Sequence, residues 1–206
     1  MYDYDPTVGK WSEKEGPMLL FVNACLRDGS RTERLARMWL ERRAYEGEVV
    51  ELSLVELDVN PLDASGANPL GEYSRSVADA DYGHPMFALA KQFAQADEVL
   101  IAAPFWNYSL PAKLHAYLEL VCSQGVTFDI DETGDYVSLI KAQRITYVQT
   151  AGGAKVEAAD DHSFGYVRTL AQRFWHVSQV TCVSAWGVDA PETDVEALLC
   201  AALAEQ

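Results

Sequence analysis

The chain has 206 residues, of which 49% are hydrophobic and 23% charged, a composition typical of a globular protein with one buried core. Its formal net charge is -15, which argues against nucleic-acid binding because nucleic acids select a basic face. The same charge repels an anionic ligand as a whole, so a site for such a ligand must supply strong local donors.

Cysteines and apolar runs narrow the class of protein further. The four cysteines are Cys25, Cys122, Cys182 and Cys200. They show no metal-type spacing, so we expect free thiols, at least three of them packed as small apolar side chains. No secretory leader pattern is present, and no apolar run approaches the ~18 residues of a membrane span. These features predict a cytoplasmic protein without a nucleic-acid or membrane partner.

The beginning of the chain lacks regular periodicity. Residues 1–16 mix glycine, proline and charge, which predicts an irregular N-terminal arm. The arm either docks through Tyr2, Tyr4 and Trp11 on the body or on a partner subunit, or it forms a mobile tail. From residue 17 the pattern becomes regular, and we interpret 17–206 as a single domain.

Apolar runs and helical periodicity then alternate. Short apolar runs predict strands buried on both faces, at 18–23, 49–54, 98–102, 144–150 and 181–185. Apolar residues at helical spacing predict helices at 31–45, 85–94, 110–123, 163–176 and 193–204. Residues 57–83 hold turn formers with little periodicity, which predicts a long loop of the kind that forms lids or binding loops. Residues 125–139 are expected to form two short extended pieces around a turn.

This alternation predicts an α/β fold in which helices cover both faces of a parallel sheet. Five strands in the order 2-1-3-4-5, with right-handed connections, give a flavodoxin-like three-layer sandwich. The ligand site of such a sheet lies beyond the carboxyl ends of its strands. The loops to search are therefore those after Asn23, Ala102 and Thr150.

The first loop, 23–32, leads into the first helix. Its free backbone N–H groups and the positive end of the helix suit a phosphate. Four side chains add hydroxyl or charge-assisted donors, namely Arg27, Ser30, Arg31 and Thr32. The alternative is that Ser30 only caps the helix, with Glu33 completing a capping box. Local sequence favours the cap, and both roles are compatible in one loop.

The second loop, 103–111, carries three aromatic residues on a polar turn. Phe105, Trp106 and Tyr108 suit the walls of a site for a flat heteroaromatic ligand, and Asn107 offers edge hydrogen bonds. A subunit interface or a covered loop explains the same residues equally well. The third loop begins Thr150-Ala151-Gly152-Gly153, and its adjacent glycines either admit a ligand to the backbone or simply form a turn.

Other candidate residues give weaker signals. The four histidines show no ligand spacing with cysteine or carboxylate side chains, so no metal ligand is predicted. Ser109 lacks a G-x-S-x-G elbow, which leaves a hydrolase acting on a phosphodiester or thioester without local support. Cys25 lies near the first helix N-terminus, where a thiol pKa is often lowered, but packing is the favoured interpretation because no partner base is identifiable. No catalytic side chain is predicted.

Together, the loops resemble those of the FMN-dependent NAD(P)H:quinone oxidoreductase and azoreductase family. The segment APFWNYSLPAKL at 103–114 is similar to the family's A-P-x-[YW]-N-[FY]-x-x-P-x-x-L-K stretch, and GVTF at 125–128 to its downstream G-x-[ST]-F. TAGG at 150–153 resembles the family's S-x-G-G loop. The resemblance runs from residue 18 to about residue 190, with the motifs in the family's order.

The resemblance implies roles for residues in all three loops. Ser30 and Thr32 match the hydroxyls that hold the FMN phosphate, with Arg27 and Arg31 substituting for a serine that many members carry. The residues that match the loop along the isoalloxazine and ribityl chain are Pro104, Phe105, Trp106 and Asn107. Those that match the loop at the flavin's pyrimidine edge are Thr150, Gly152 and Gly153. Ala151 stands where some members carry a charged or bulkier residue.

The resemblance also implies the reaction and the assembly. NAD(P)H would reduce FMN, and a quinone, azo or similar aromatic acceptor would then take its place at the flavin, which predicts ping-pong kinetics. Trp106 and Tyr108 would shape the acceptor pocket, and 57–83 would cover it. Members of the family are typically homodimers with two sites at the interface, near the helix that starts at Leu110. A non-enzymatic flavin carrier is the alternative function.

Overall fold

The computed structural model describes residues 16–204 and, before them, two short strands, β1 (Tyr4–Asp5) and β2 (Lys10–Trp11). β1 and β2 pair in antiparallel fashion. The rest of the arm that was predicted to be irregular, with the side chains of Tyr2, Tyr4 and Trp11, lies outside the described residues, as do residues 205–206.

The strands that follow form a parallel sheet and one hairpin. They are, in chain order, β3 (Met18–Asn23), β4 (Glu48–Ser53), β5 (Glu98–Ala102), β6 (Phe128–Ile130), β7 (Tyr136–Ser138), β8 (Arg144–Ala151) and β9 (Gln179–Trp186). The sheet has five parallel strands in the order β4-β3-β5-β8-β9, and β6 pairs with β7 in antiparallel fashion. The predicted flavodoxin-like order 2-1-3-4-5 is confirmed, and so is the extended hairpin within 125–139.

The helices of the described chain are α1 (Arg31–Arg43), α2 (Leu70–Asp79), α3 (Ala88–Gln95), α4 (Ala112–Val121), α5 (Phe164–Arg173) and α6 (Val195–Ala204), with a 3-10 turn at Pro85–Phe87. The prediction of a loop throughout 57–83 is wrong, because this segment contains α2. Leu70, Tyr73 and Val77 of α2 do lie at helical spacing, but none of them is fully buried and the turn formers around them favoured a loop. The segment rests on α4, where Leu62 N donates to Glu119 Oε1 at 2.9 Å.

Two apolar layers hold the sheet between its helices. Leu19 and Phe21 of β3 face the layer under α1 and α6. Leu20 and Val22 face the other layer, which contains residues of α3, α4 and α5. Successive side chains of a strand point to opposite faces, so a strand covered on both sides is apolar throughout. This explains why short apolar runs located the strands correctly.

Candidate ligand site at the carboxyl edge of the sheet

The three predicted loops meet at one edge of the sheet. Backbone hydrogen bonds continue beyond the strand ends, from Ala24 N to Ala102 O at 2.8 Å and from Ala103 N to Val148 O at 3.0 Å. Phe105 N then donates to Thr150 O at 3.0 Å. The second loop is thereby held between the first and the third, as the parallel order requires.

A pair of threonine hydroxyls joins the first loop to the third. Thr32 Oγ1 and Thr150 Oγ1 lie 2.7 Å apart, and both residues are buried. Thr32 belongs to the first turn of α1, and Thr150 stands near the end of β8. The structure therefore brings together two predicted site residues that are 118 positions apart in the sequence.

Ser30 caps α1, as its sequence context indicated. Its Oγ accepts a hydrogen bond from Glu33 N at 3.3 Å. Because the hydroxyl is the acceptor in this bond, its own proton stays available to another acceptor. Capping and ligand binding are thus compatible at Ser30.

The two arginines of the first loop differ in their partners. Arg31 forms an ion pair with Asp189, which lies after β9. Arg27 is exposed and forms no ion pair with any residue among those described. Sequence reasoning missed Asp189, because it lies 158 positions from Arg31 and belongs to no motif.

The second loop is a tight hairpin that presents two aromatic rings. Trp106 and Ser109 exchange backbone hydrogen bonds of 2.9 and 2.8 Å around Asn107 and Tyr108. These two residues have φ angles of 50° and 63°, a region that costs energy for a tyrosine and is common at functional sites. Trp106 and Tyr108 are 40% and 55% exposed. Their exposure at a strand end is consistent with the predicted ligand walls.

The two residues before the hairpin have a supporting position. Pro104 is buried, and the half-buried Phe105 packs its ring edge-on against Trp186, with centroids 4.9 Å apart. Phe105 therefore offers less exposed ring surface to a ligand than its sequence position suggested, because its ring packs on Trp186.

The carbonyl groups of the third loop accept hydrogen bonds from the segment that follows β9. Val188 N donates to Ala151 O at 3.1 Å, and Gly187 N donates to Gly153 O at 2.7 Å. Among the described residues, none accepts a hydrogen bond from the N–H groups of Gly152 or Gly153. These two donors are available to a ligand. A Cβ at Gly152 would overlap the carboxylate of Asp189, so a side chain there would require Asp189 to shift.

A network of hydrogen bonds around Asp161 connects the end of β8, next to the third loop, to the start of α5. Gln149, which is buried, donates from Nε2 to Asp161 Oδ2 at 3.0 Å. Asp161 Oδ1 also accepts from the N–H groups of Ser163 and Phe164 at 3.0 and 2.9 Å, and so caps α5. Partial burial opposes the charge, but the hydrogen bonds from Ser163 and Gln149 hold the pKa of Asp161 below its ordinary value. An aspartate two residues before a predicted helix was the available sequence signal.

Cys25 is a packing residue in this structure. It is buried, and its Sγ donates to Ala102 O at 3.8 Å. Burial raises the pKa of the Cys25 thiol to about 11, so the group is neutral at physiological pH. The structure therefore favours the packing interpretation over a reactive thiolate.

A cavity of about 550 Å³ opens on the β4 side of the first loop. It is lined by the first loop, through Asn23, Cys25, Leu26, Arg27 and Asp28, but by no residue of the second or third loop. Arg37 in its wall is already bound by Glu33 and Glu51, with N–O distances of 2.6 and 2.9 Å. The cavity therefore adjoins the first-loop end of the three-loop site and does not reach the other two loops.

Metal-ligand clusters and membrane-spanning helices are both absent from the described residues. No group of three or more metal-ligating side chains that would hold a metal ion occurs in the described ranges. Over the same ranges, none of the helices combines the length and the apolar character needed to cross a membrane.

The sheet order and the joined loops define a flavodoxin-like α/β protein whose candidate ligand site lies at the switch point of the strand order. A family model described as a flavodoxin-like fold matches residues 18–205. An FMN-dependent NADH:quinone oxidoreductase of Coprothermobacter proteolyticus is 31% identical over 173 residues, which cover 81% of this chain and 84% of the relative. Another, from Clostridium beijerinckii, is 28% identical over 185 residues, covering 86% and 89%.

A solved structure agrees with these relatives. The azoreductase from Bacillus anthracis strain Sterne superimposes with a TM-score of 0.72 at 25% identity, covering 92% of this chain and 96% of that one. The chain belongs to the family of FMN-dependent NADH:quinone oxidoreductases, and the predicted family resemblance is confirmed.

Proposed function

We propose that the three-loop site binds FMN and that the chain uses NADH or NADPH to reduce a quinone, azo compound or similar aromatic acceptor. The chain is an oxidoreductase by family. The observation that carries the proposal is the Thr32–Thr150 hydrogen bond, which places the predicted phosphate loop directly beside the glycine loop. When bound, FMN supplies the hydride chemistry, so this chain's residues need only bind, orient and stabilise charge.

The first loop holds the phosphate in this proposal. The N-terminus of α1 offers N–H groups and a positive dipole end to the anion. Ser30 and Thr32 each present a hydroxyl there, and Arg27 and Arg31 contribute charge-assisted donors. Arg27 has no ion-pair partner among the described residues. Arg31 is paired with Asp189 and would replace that carboxylate with the phosphate when FMN binds.

The second and third loops hold the ring system. Trp106 and Asn107 lie along the ring, with Pro104 and Phe105 supporting them, and Tyr108 shapes the place where the nicotinamide and the acceptor bind in turn. The unpaired N–H groups of Gly152 and Gly153, next to Thr150 and Ala151, stabilise negative charge at the pyrimidine edge. One shared place for donor and acceptor predicts ping-pong kinetics.

Flavin binding is tested by the visible spectrum of the purified protein and by titration with FMN. We expect flavin absorption bands and saturable binding. Ser30→Ala and Thr32→Ala should each weaken FMN binding about tenfold, as expected when a hydrogen bond to a charged group is lost. Thr169→Ala is the matched control, because its hydroxyl only bonds to Gly165 O within α5. A protein that takes up no FMN contradicts the proposal.

Turnover separates a reductase from a flavin carrier. Steady-state rates are measured with NADH and NADPH against a quinone and an azo dye. Parallel double-reciprocal lines are expected, because the first product leaves before the acceptor binds. If the FMN-loaded protein shows no turnover, the reductase proposal is wrong and the flavin-carrier alternative is favoured.

We also propose that the chain forms homodimers. Trp106 and Tyr108 are exposed beside the site, and the β6–β7 hairpin exposes Ile130, Tyr136 and Val137 by 39–45%. A second copy covering these residues would complete the walls of the acceptor pocket. Light scattering coupled to gel filtration gives the mass in solution, and a monomer at assay concentration would contradict the dimer.

A further inference from the structure

A second cavity lies at the opposite, amino-terminal edge of the sheet and encloses about 390 Å³. Its floor is formed where β8 and β9 begin, and its sides are formed by the last turns of α1 and α6. The three loops of the proposed flavin site are at the carboxyl ends of the same strands. The two sites therefore share no residue.

Positive charge is concentrated at this cavity in a chain that has 31 acidic and 16 basic residues. Arg42, Arg43 and Arg144 line it. Their single carboxylate partner among the described residues is Glu98, which lies 2.5 Å from Arg43 Nη2 and 3.8 Å from Arg144 Nε. Arg42 is exposed and has no described partner. Three guanidinium groups around one carboxylate leave an excess of positive charge that favours an anion.

The floor of the cavity offers a hydroxyl donor. Thr146 is fully buried and is the register partner of Thr181 on the neighbouring strand. Their Oγ1 atoms lie 3.3 Å apart, longer than the usual ~2.7–2.8 Å between hydroxyl oxygens. Two hydroxyls carry two protons, and a bond between them uses one. No other described partner takes the second proton. Because Thr146 is fully buried, the half-buried Thr181 is the residue that can donate it into the cavity.

The remaining walls are apolar. Trp39 and Leu203 line the cavity with side chains that are 9% and 6% exposed. A volume of this order suits a small molecule, since ligand pockets commonly enclose about 300–1,000 Å³. We infer that this cavity binds a small amphipathic anion: a carboxylate or phosphate held by the arginines, joined to an aromatic or aliphatic body that packs on Trp39 and Leu203. This site goes beyond the proposed reductase activity and does not depend on it.

Calorimetric titration of FMN-saturated protein with phenyl phosphate tests the inference, because saturation occupies the first loop before the probe is added. One saturable site per chain is expected, and uncharged benzyl alcohol should show none. Arg42→Gln and Arg144→Gln should each weaken binding about tenfold or more, since each removes a charge-assisted donor. Thr181→Val, which keeps the side-chain shape, should weaken it by a smaller factor. Arg75→Gln, on the exposed surface of α2, is the matched control and should leave affinity unchanged.

The contrary results are distinct from a failure of the flavin proposal. Repeating the titration without FMN should give the same affinity for the amino-edge cavity. The inference is overturned if phenyl phosphate shows no saturable binding, or if FMN competes with it, which would place the probe in the first loop. Affinity unchanged in Arg42→Gln would also overturn it. Arg42 is exposed at the helix surface, so this variant keeps the test valid even if Arg144→Gln fails to fold.

Discussion

Gly152 is the position at the proposed flavin site where a side chain has least room. A Cβ at residue 152 would overlap the carboxylate of Asp189, the partner of Arg31. We expect Gly152→Ala to weaken FMN binding about fivefold, because Asp189 is an exposed side chain that can shift away at a cost of about 1 kcal/mol. Equilibrium titration with FMN, followed by flavin fluorescence, measures the change.

The chain provides a neighbouring control for this substitution. No atom lies within 4 Å of a Cβ built on Gly153, so Gly153→Ala should bind FMN almost as the wild type does. Removing the Asp189 carboxylate should relieve the overlap, so Gly152→Ala combined with Asp189→Ala should recover part of the lost affinity for FMN. Equal losses in the two glycine variants would contradict the steric explanation.

At the scale of elements, Lys113 ties α4 to the segment that follows β4. Its Nζ donates to Leu54 O at 2.9 Å and to Leu57 O at 3.1 Å. Lys113→Met keeps the aliphatic stem but leaves these carbonyl groups without their donor. We expect the free energy of unfolding in urea to fall by about 1–3 kcal/mol. Lys141→Met, at an exposed position, should change it little, and a similar loss in both variants would argue against the tie.

The Asp161 network links β8, α5 and the second loop, where His162 N donates to Tyr108 O at 3.0 Å. Because the folded-state pKa of Asp161 lies below its ordinary value, its charged form stabilises the fold at neutral pH. This contribution is complete above the ordinary aspartate pKa of about 3.9 and is lost as the pH falls through the lower folded-state pKa. Asp161→Asn lacks this titration.

The acid dependence of unfolding therefore distinguishes Asp161 from an exposed neighbour. At neutral pH, Asp161→Asn should be less stable than the wild type, and the difference should shrink as the pH falls below about 4. Asp160→Asn, at an exposed position, should follow the wild-type curve. Thermal unfolding between pH 3 and pH 7 measures the curves, and a constant difference across this range would rule out the linkage.

The elements differed in how far sequence could predict them. β5 lies at the predicted residues, because a strand buried on both faces carries its own apolar signal. α2 was missed, because its short apolar face of Leu70, Tyr73 and Val77 lies among turn formers that favour a loop. The candidate residues on the strand-end loops were predicted from their position. Asp189 was not predicted, because its contact with Arg31 depends on how separate loops pack.

At the scale of the whole molecule, the net charge of -15 opposes the approach of an anionic cofactor. Raising the salt from about 10 to about 150 mM shortens the screening length from about 30 to about 8 Å, which weakens this long-range repulsion. The association rate of FMN, measured by stopped-flow fluorescence, should therefore rise over this range, while that of uncharged riboflavin should stay level. A falling rate for FMN would show that the local field of Arg27 and Arg31 dominates.

The sequence by itself determined the parallel sheet, its strand order and the three loops at its carboxyl edge. These features follow from local periodicity and from the rule that parallel strands end at the same side. It also indicated the Ser30 cap, which involves neighbours along one helix.

Only the tertiary structure decided which of these residues touch. The Thr32–Thr150 bond, the pairing of Arg31 with Asp189 above Gly152, and the arginine cavity at the amino edge all join distant parts of the chain. Such contacts are set by strand register and by the packing of α1 and α6 on the sheet. No local pattern encodes them, because each partner alone has the sequence of an ordinary surface or core residue.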